Sequence, residues 1–333
     1  MSSYFLQRLA GTIPVLLLIS FLVFLLIHAA PGDPTLLLLG EETNAAEIAK
    51  AKERWGLDRP LSTQYLRFVE AAATGQFGKS FKYGEPVLSV IKTRLPATIE
   101  LAICSIIIAS LLAIPLGVIA GARPNSWLDN VGTTFGLFGI SMPSFWLGIM
   151  LILLLAGIFN VLPTSGRSTY GIAGPEITGF YLLDSLIQGN RPAVRDALAH
   201  VFMPALALGM NMLGILMRVT RSAVLEVMNE EYVVTARAKG LAERNVLWHH
   251  VTSNALIPVI TVVGLELGTL LSGSIIVETV FAWPGSGSLL ITALNARDYP
   301  LVTGVVMIYT GAFVLLNLVI DGLYAVIDPR IRY

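Results

Sequence analysis

Charge is scarce in this chain. Of its 333 residues, 13% are Asp, Glu, Lys or Arg, 55% are hydrophobic, and the mean hydropathy is +0.73. That is about half the charge of an ordinary soluble domain. A soluble fold would need more charge to cover its surface, so an integral membrane protein is expected. Acid and base balance at 22 residues each, which argues against nucleic acid as the main partner. Cysteine is scarcer still. Cys104 is the only one, which excludes an internal disulfide, and it stands in an apolar run as a small core- or lipid-facing residue. The four histidines, His28, His200, His249 and His250, lack metal-ligand spacing. Neighbouring residues on a helix point about 100° apart, so His249 and His250 do not form a chelating pair. No Ser/His/Asp set or paired carboxylates stand out, and neither a catalytic residue nor a metal site is expected.

What the chain does have is long apolar runs. Residues 11–30 are uncharged and about long enough to cross a bilayer core. Arg8 precedes them, as in a signal peptide, but the run is long for one and Pro31 would follow a cut after Ala30. An uncleaved first helix is expected. Pro31-Gly32-Asp33-Pro34 ends it. Residues 31–96 are mostly polar with mixed charge and are expected to form a small external subdomain, with short helices over 45–55 and 62–73. Further spans are expected over 101–122, over 131–159 with a break near Ser141-Met142-Pro143, over 202–217 and on past Arg218, over 255–277, and over 302–327. Residues 162–200 read as loop. Ala109, Ala113, Gly117 and Gly121 recur every fourth residue and give the second span a small face that another helix can approach. The expected fold class is an all-α integral membrane protein of six transmembrane helices: the first within 1–30, the subdomain at 31–96, and a five-helix core over 97–333.

Six spans put both termini on one side. With that side inside, the short interior segments carry nine Lys or Arg and the short exterior loops four, which favours cytoplasmic termini. The stretch 229–258, NEEYVVTARAKGLAERNVLWHHVTSNALIP, is then a cytoplasmic loop. One side of it is apolar (Val233, Ala236, Leu241) and the other charged (Arg237, Lys239, Arg244). A plain positive-inside connector would account for the charges but not for the small residues at its centre. These suit close approach by a partner, and Gly240 allows a sharp turn. On the residues alone, connector and docking site both stay open.

Three further features need weighing. Gly78-Lys79-Ser80 ends like a phosphate-binding loop, but Ala73 stands where that pattern needs glycine, so no nucleotide site is expected. Glu266 lies mid-span, where a charge costs roughly 2.5–3.5 kcal/mol on insertion scales and faces protein or water. It is roughly 200° around the helix from Gly264, which with Gly268 and Ser272 makes a small face. Both a pathway residue and a structural hydrogen bond fit. Glu278, at the end of the fifth span, is a second candidate for contact with substrate or with a delivering protein.

Ala236-Arg237-Ala238-Lys239-Gly240-Leu241 resembles the core of the EAA loop of bacterial ATP-binding-cassette importer permeases. The Pro-Gly-Asp-Pro stop at 31–34, Leu57-Asp58-Arg59-Pro60, Arg94-Leu95-Pro96-Ala97-Thr98, Met142-Pro143-Ser144-Phe145-Trp146, the stretch 277–285 (VETVFAWPG), Arg297-Asp298-Tyr299-Pro300 and Asp328-Pro329-Arg330 are similar to the peptide and nickel branch of that family, and within it to the first permease subunit of dipeptide importers. Val234-Thr235-Ala236 departs from the Glu-Ala-Ala of the general pattern, and His250 and Ser253 depart from its closing apolar residue and proline.

The resemblance implies a type I importer permease in the bacterial inner (plasma) membrane. It would move dipeptides or short oligopeptides inward and have no ATPase site or cofactor of its own. Implied partners are a second homologous permease subunit, two ATPase subunits that bind ATP and Mg, an external substrate-binding protein and the lipid bilayer. Thr235, Ala236, Arg237, Ala238, Lys239, Gly240 and Leu241 would couple to the ATPase. Nickel or glutathione are alternative cargoes. An ATP-independent secondary transporter would be expected to show internal repeats or an ion site, and neither is clear.

Overall fold

The computed structural model describes residues 2–29, 58–172 and 174–327. All named elements among them are helical, and the only strand-like pairing is one isolated bridge between Lys79 and Pro86. In chain order the helices are α1 (Ser2–Ala29), α2 (Leu61–Thr74), α3 (Val87–Ala122), α4 (Trp127–Ser141), α5 (Ser144–Leu151), α6 (Tyr181–Ile187), α7 (Arg191–Val227), α8 (Glu231–Ala238), α9 (Thr252–Val280), α10 (Ser286–Asn295) and α11 (Tyr299–Ile327). A wide π turn, Ile152–Ile158, continues α5, and another, Val246–Val251, leads into α9. The expected stop at 31–34, the helix over 45–55 and the motif at 328–330 lie outside the described residues.

Among the described residues four helices are long and apolar enough to cross a membrane, or five if the bent α4–α5 pair is one span. Among the described residues of α1 the apolar stretch Gly11–Leu25 is shorter. The break expected near Ser141-Met142-Pro143 is present: α4 stops at Ser141, α5 starts at Ser144, and the two meet at 105°. Two expectations are corrected. The second span does not wait for Leu101 but belongs to a helix that begins at Val87, and the loop expected over 162–200 contains α6 and the first turns of α7. At α3 the interruption by Lys92, Arg94 and Pro96 hides the continuity of the helix, and at α7 the polar first turn Arg191-Pro192-Ala193-Val194-Arg195 looks like loop in sequence.

The chain forms two compact units, one from residues up to Leu95 with Ser288–Val319, the other chiefly from Pro96–Gly287. In the first, α2 lies on α1 through Tyr65 and Phe68. The Tyr65 ring meets Phe21 and Phe24 edge-on, each at 5.5 Å, and its hydroxyl pairs with that of Ser20 at 2.9 Å. This is the short helix expected over 62–73. Val87, Val90 and Ile91 pack with Leu289, Ala293, Leu301 and Val305. Ser80, from the apparent phosphate-loop ending, donates its hydroxyl to buried Asp298. The same carboxylate accepts from Lys82 N at 3.0 Å and from Leu301 N at 3.2 Å, in the first turn of α11. Ser80 is a loop anchor.

The second unit is built around α7. Asn190 caps that helix by accepting from Ala193 N at 3.2 Å. Its apolar window is 78% buried, against 22–33% for the other three long helices, because α4, α5, α6 and α9 all contact it. The small face of α3 meets it as well. A Cβ on Gly117 would lie 2.6 Å from Thr220 Cβ, and one on Gly121 2.8 Å from Val224, so only glycine permits this approach. Cys104 is half-buried beside the same core.

Candidate functional site

The loop after α7 is a short helix held from below. Val233 and Ala236 of α8 are buried with Val246, Val251 and Ala255, against Val118 at the end of α3 and Ala223 and Val224 at the end of α7. Two turns on, α8 ends in a paired C-cap: Leu241 N donates to Ala236 O at 3.4 Å and Gly240 N to Arg237 O at 2.9 Å. This cap needs a left-handed residue, and Gly240 has φ +77°. A Cβ there would meet nothing within 4 Å, so glycine is required by conformation and not by space.

The reversal at Gly240 changes one expectation. Leu241 does not join Val233 and Ala236 on the apolar side but stands 43% exposed. Thr235, Ala238, Lys239 and Gly240 are also exposed, and so are Tyr232, Val234 and Trp248. The loop therefore buries one edge and leaves an outer face that mixes apolar side chains with the exposed bases Lys239 and Arg244. Arg237 is committed within the loop: its guanidinium donates to Glu243 at 2.8 and 3.2 Å, and that carboxylate raises its already high pKa. Lys239 has no hydrogen bond or ion pair to a described residue, so of these two cations it is the one left for a partner.

A second ion pair braces this end of the unit, and the sequence reading missed it. Asp129 in the first turn of α4 receives both Nε and Nη2 of Arg221 from α7, the latter at 2.7 Å, and also accepts Asn125 N at 2.9 Å. Asp129 is buried. Deleting Arg221 would leave that carboxylate underpaired, at a cost of about 1–3 kcal/mol. The only available signal was an acid and a base ending up on the same expected side, 92 residues apart.

The opposite end of the second unit, around Pro96–Glu100 of α3 and the end of α9, is closed by polar side chains. Glu100 receives Arg167 at 2.6 Å and Leu182 N at 2.7 Å, and Arg167 also donates to Gly179 O at 2.8 Å. The Arg167 guanidinium lies 6.0 Å from the Trp283 ring centroid, and Trp283 Nε1 donates to Ala97 O at 2.9 Å. Asp184 sits in a nest of donors, with Ile177 N, Thr178 N, Thr178 Oγ1 and Gly179 N all directed at it. Burial alone would raise this carboxyl, but those hydrogen bonds outweigh it and hold the pKa below the usual carboxylate range. The Tyr181 hydroxyl is pushed up to about 12, first by burial and then by Asp196, so it stays protonated and donates to Asp196 at 3.0 Å.

The two carboxylates singled out in α9 have different settings. Glu278 is fully buried: Thr98 Oγ1 donates to it at 2.7 Å, the Thr98 hydroxyl lies 3.0 Å from that of Ser286, and a side chain on Gly285 or Gly287 would run into the carboxylate. Glu266 is half-buried, with no hydrogen bond or ion pair to a described residue. The side chain of Ser272 is outside the described set. His249 and His250 meet edge-on with ring centroids 5.2 Å apart, and among the described residues no group of three or more His, Cys, Asp or Glu is placed to hold a metal ion.

Comparison with known proteins agrees with this architecture. Residues 113–333 match the family model described as binding-protein-dependent transport system inner membrane component, and residues 1–102 match the model of its N-terminal part. The chain is 43% identical over 326 residues to the probable D,D-dipeptide transport system permease protein DdpB of Escherichia coli K12, covering 98% of this chain and 96% of the relative. It is 42% identical over 338 residues to the dipeptide transport system permease protein DppB of the same strain, covering 100% and 99%. The glutathione transport system permease protein GsiC of Salmonella paratyphi A is 39% identical over 333 residues, with both chains fully covered. Matched along its whole length, the chain belongs to the family of binding-protein-dependent transport system inner membrane components.

Proposed function

We propose that this chain is the membrane-spanning permease subunit of an ATP-binding-cassette importer for dipeptides or short oligopeptides. Full-length identity of about 40% to permeases named for dipeptide transport supports the cargo. The outer face of the α8 loop carries the proposal for mechanism. Its underside is buried in its own chain, while Lys239, Leu241 and Val234 have no such role and suit a groove on another protein. Thr235 to Leu241 couple to a separate ATPase pair, which binds ATP and Mg. ATP closes the pair, α8 moves with it, and the packed ends of α3, α7 and α9 transmit the motion as a rocking of the helices. The partners are a second homologous permease subunit, two ATPase chains and an external binding protein. The chain has six spans, counting α1 and the bent α4–α5 pair, and both termini are cytoplasmic. The subdomain at 31–96 and the Arg167–His200 region face outward and are the candidate docking surfaces for the binding protein.

Glutathione is the second reading, favoured by the 39% identical glutathione permease. The test uses the reconstituted complex with binding protein. Dipeptide should stimulate ATP hydrolysis in wild type. Gly240→Val, which forces a β-branched residue to φ +77°, should assemble yet lose at least tenfold in stimulated hydrolysis. Unchanged stimulation would reduce the loop to a connector, and uptake of glutathione in place of dipeptide would select the second reading.

A further inference from the structure

Among the described residues, Glu266 is the one mid-helix carboxylate in the second unit with no hydrogen bond or ion pair. At 100° per residue, Val259, Val262, Val263, Leu270 and Val277 all lie within roughly 60° of it around α9. Three of these are buried in the core built on α7, and Val262 and Val263 pack against that core. Glu266 therefore stands on the arc of α9 that packs against the core built on α7. Among the described residues no buried side-chain oxygen or nitrogen lacks a partner. Having no partner among the described residues, the Glu266 oxygens must lie on accessible surface. No basic counter-ion is at hand: α3 from Pro96 onward, α4, α5, α7 from Ala197 to Met217 and α9 itself contain no Lys or Arg. A carboxylate kept at this depth without a resident cation suits a transient one.

We infer that Glu266 is the counter-charge for a cationic group of the passing solute, namely the free α-ammonium group of a peptide. This rests on the peptide-import reading and assigns that cargo a contact inside the permease. The contact forms during passage and lapses on release. Glu266 therefore acts on the yield of transport and not on the ATPase cycle.

The test compares wild type, Glu266→Gln and Glu266→Asp as complete complexes in proteoliposomes, with binding protein and radiolabelled dialanine. Uptake and ATP hydrolysis are measured together, and thermal midpoints are taken on the same preparations. Expected is stimulated hydrolysis within twofold of wild type in all three, with uptake per ATP at least fivefold lower in Glu266→Gln and more than half restored in Glu266→Asp. Gln keeps the size and hydrogen-bonding capacity of Glu, so a merely structural role would leave Glu266→Gln near wild type, and that result overturns the inference. Equal loss of uptake, hydrolysis and thermal midpoint in both variants also overturns it. If wild type hydrolyses ATP but takes up no dialanine, the peptide-import reading fails first, and this inference falls with it.

Discussion

The two ends of the second unit both bury an ion pair, but they differ in what they leave exposed. Around Pro96–Glu100 of α3 and the end of α9, Glu100, Arg167, Thr98, Glu278, Asp184 and Trp283 bond to one another or to nearby backbone. Where α7 ends and α9 begins, one buried pair, Asp129 with Arg221, ties α4 to α7, and beyond it the chain buries apolar residues under α8 and turns Lys239 and Leu241 outward. Buried polar groups must be matched inside the fold, because an unmatched one costs about 1–3 kcal/mol. Exposed ones carry no such demand and are free for a partner. The first pattern marks a fixed brace and the second a surface that another molecule completes. This difference separates residues whose loss should unfold the chain from residues whose loss should uncouple it.

The largest expected effect is at Glu278. Glu278→Ala removes the acceptor of Thr98 and opens a void beside Gly285 and Gly287, and should cost about 2–4 kcal/mol, read as a lower thermal midpoint of the purified complex. Glu278→Gln keeps shape and an acceptor and should be milder on the same measurement. The contrast between ends breaks if Glu278→Gln is as stable as wild type yet transports nothing. Glu278 would then be the pathway residue that its position at the end of the fifth span suggested, not a brace.

How far each end could be read from sequence follows from how local its determinants are. The small face of α3, the break at 141–143 and the short helix α2 all rest on residues within a few turns of each other, where periodicity and proline speak directly. The C-cap at Gly240 is equally local, but its consequence for Leu241 is not: a left-handed glycine turns the next side chain away from the helix face it would have continued. The setting of Glu278 depends on Thr98, 180 residues earlier, and nothing in the spacing links them. The helix start at Val87 was hidden because Lys92, Arg94 and Pro96 interrupt its apolar run, and the start at Arg191 because a polar first turn resembles loop until its packing is seen. Glu266 was legible as costly; its place on the packed arc of α9 became visible only when Val259, Leu270 and Val277 proved buried.

A smaller effect sharpens the comparison at the braced end. Hydrogen bonds hold the Asp184 pKa below that of an unfolded chain, near 3.9. A depressed carboxylate stabilises the fold above its unfolded pKa, and the contribution is lost as pH falls through the folded value. Protection of the segment 177–184 from proteolysis by pepsin should therefore hold at pH 5 and weaken progressively below about pH 4. Asp184→Asn should have weaker protection already at pH 5 and a flatter pH response. A variant as protected as wild type throughout would mean that the nest does not order the segment.

The smallest effect on stability is expected at the other end, and it is the most telling. Lys239 and Leu241 are exposed, and neither contributes to the buried underside of α8. Lys239→Ala combined with Leu241→Ala should shift the free energy of unfolding by no more than about 0.5 kcal/mol, the usual range for surface changes. The same pair should weaken capture of the ATPase chains by at least tenfold, measured with purified subunits at fixed salt, because truncating a basic and an apolar side chain at the rim of a partner's groove removes contacts made only in the complex. Arg237→Ala provides the internal control. Its guanidinium is paired with Glu243, so the direct loss to a partner should be smaller than at Lys239. If Arg237→Ala weakens capture more than the Lys239 and Leu241 pair does, the Arg237–Glu243 bridge must open on docking, and this end of the unit would then rearrange on binding where the end at Glu278 stays fixed.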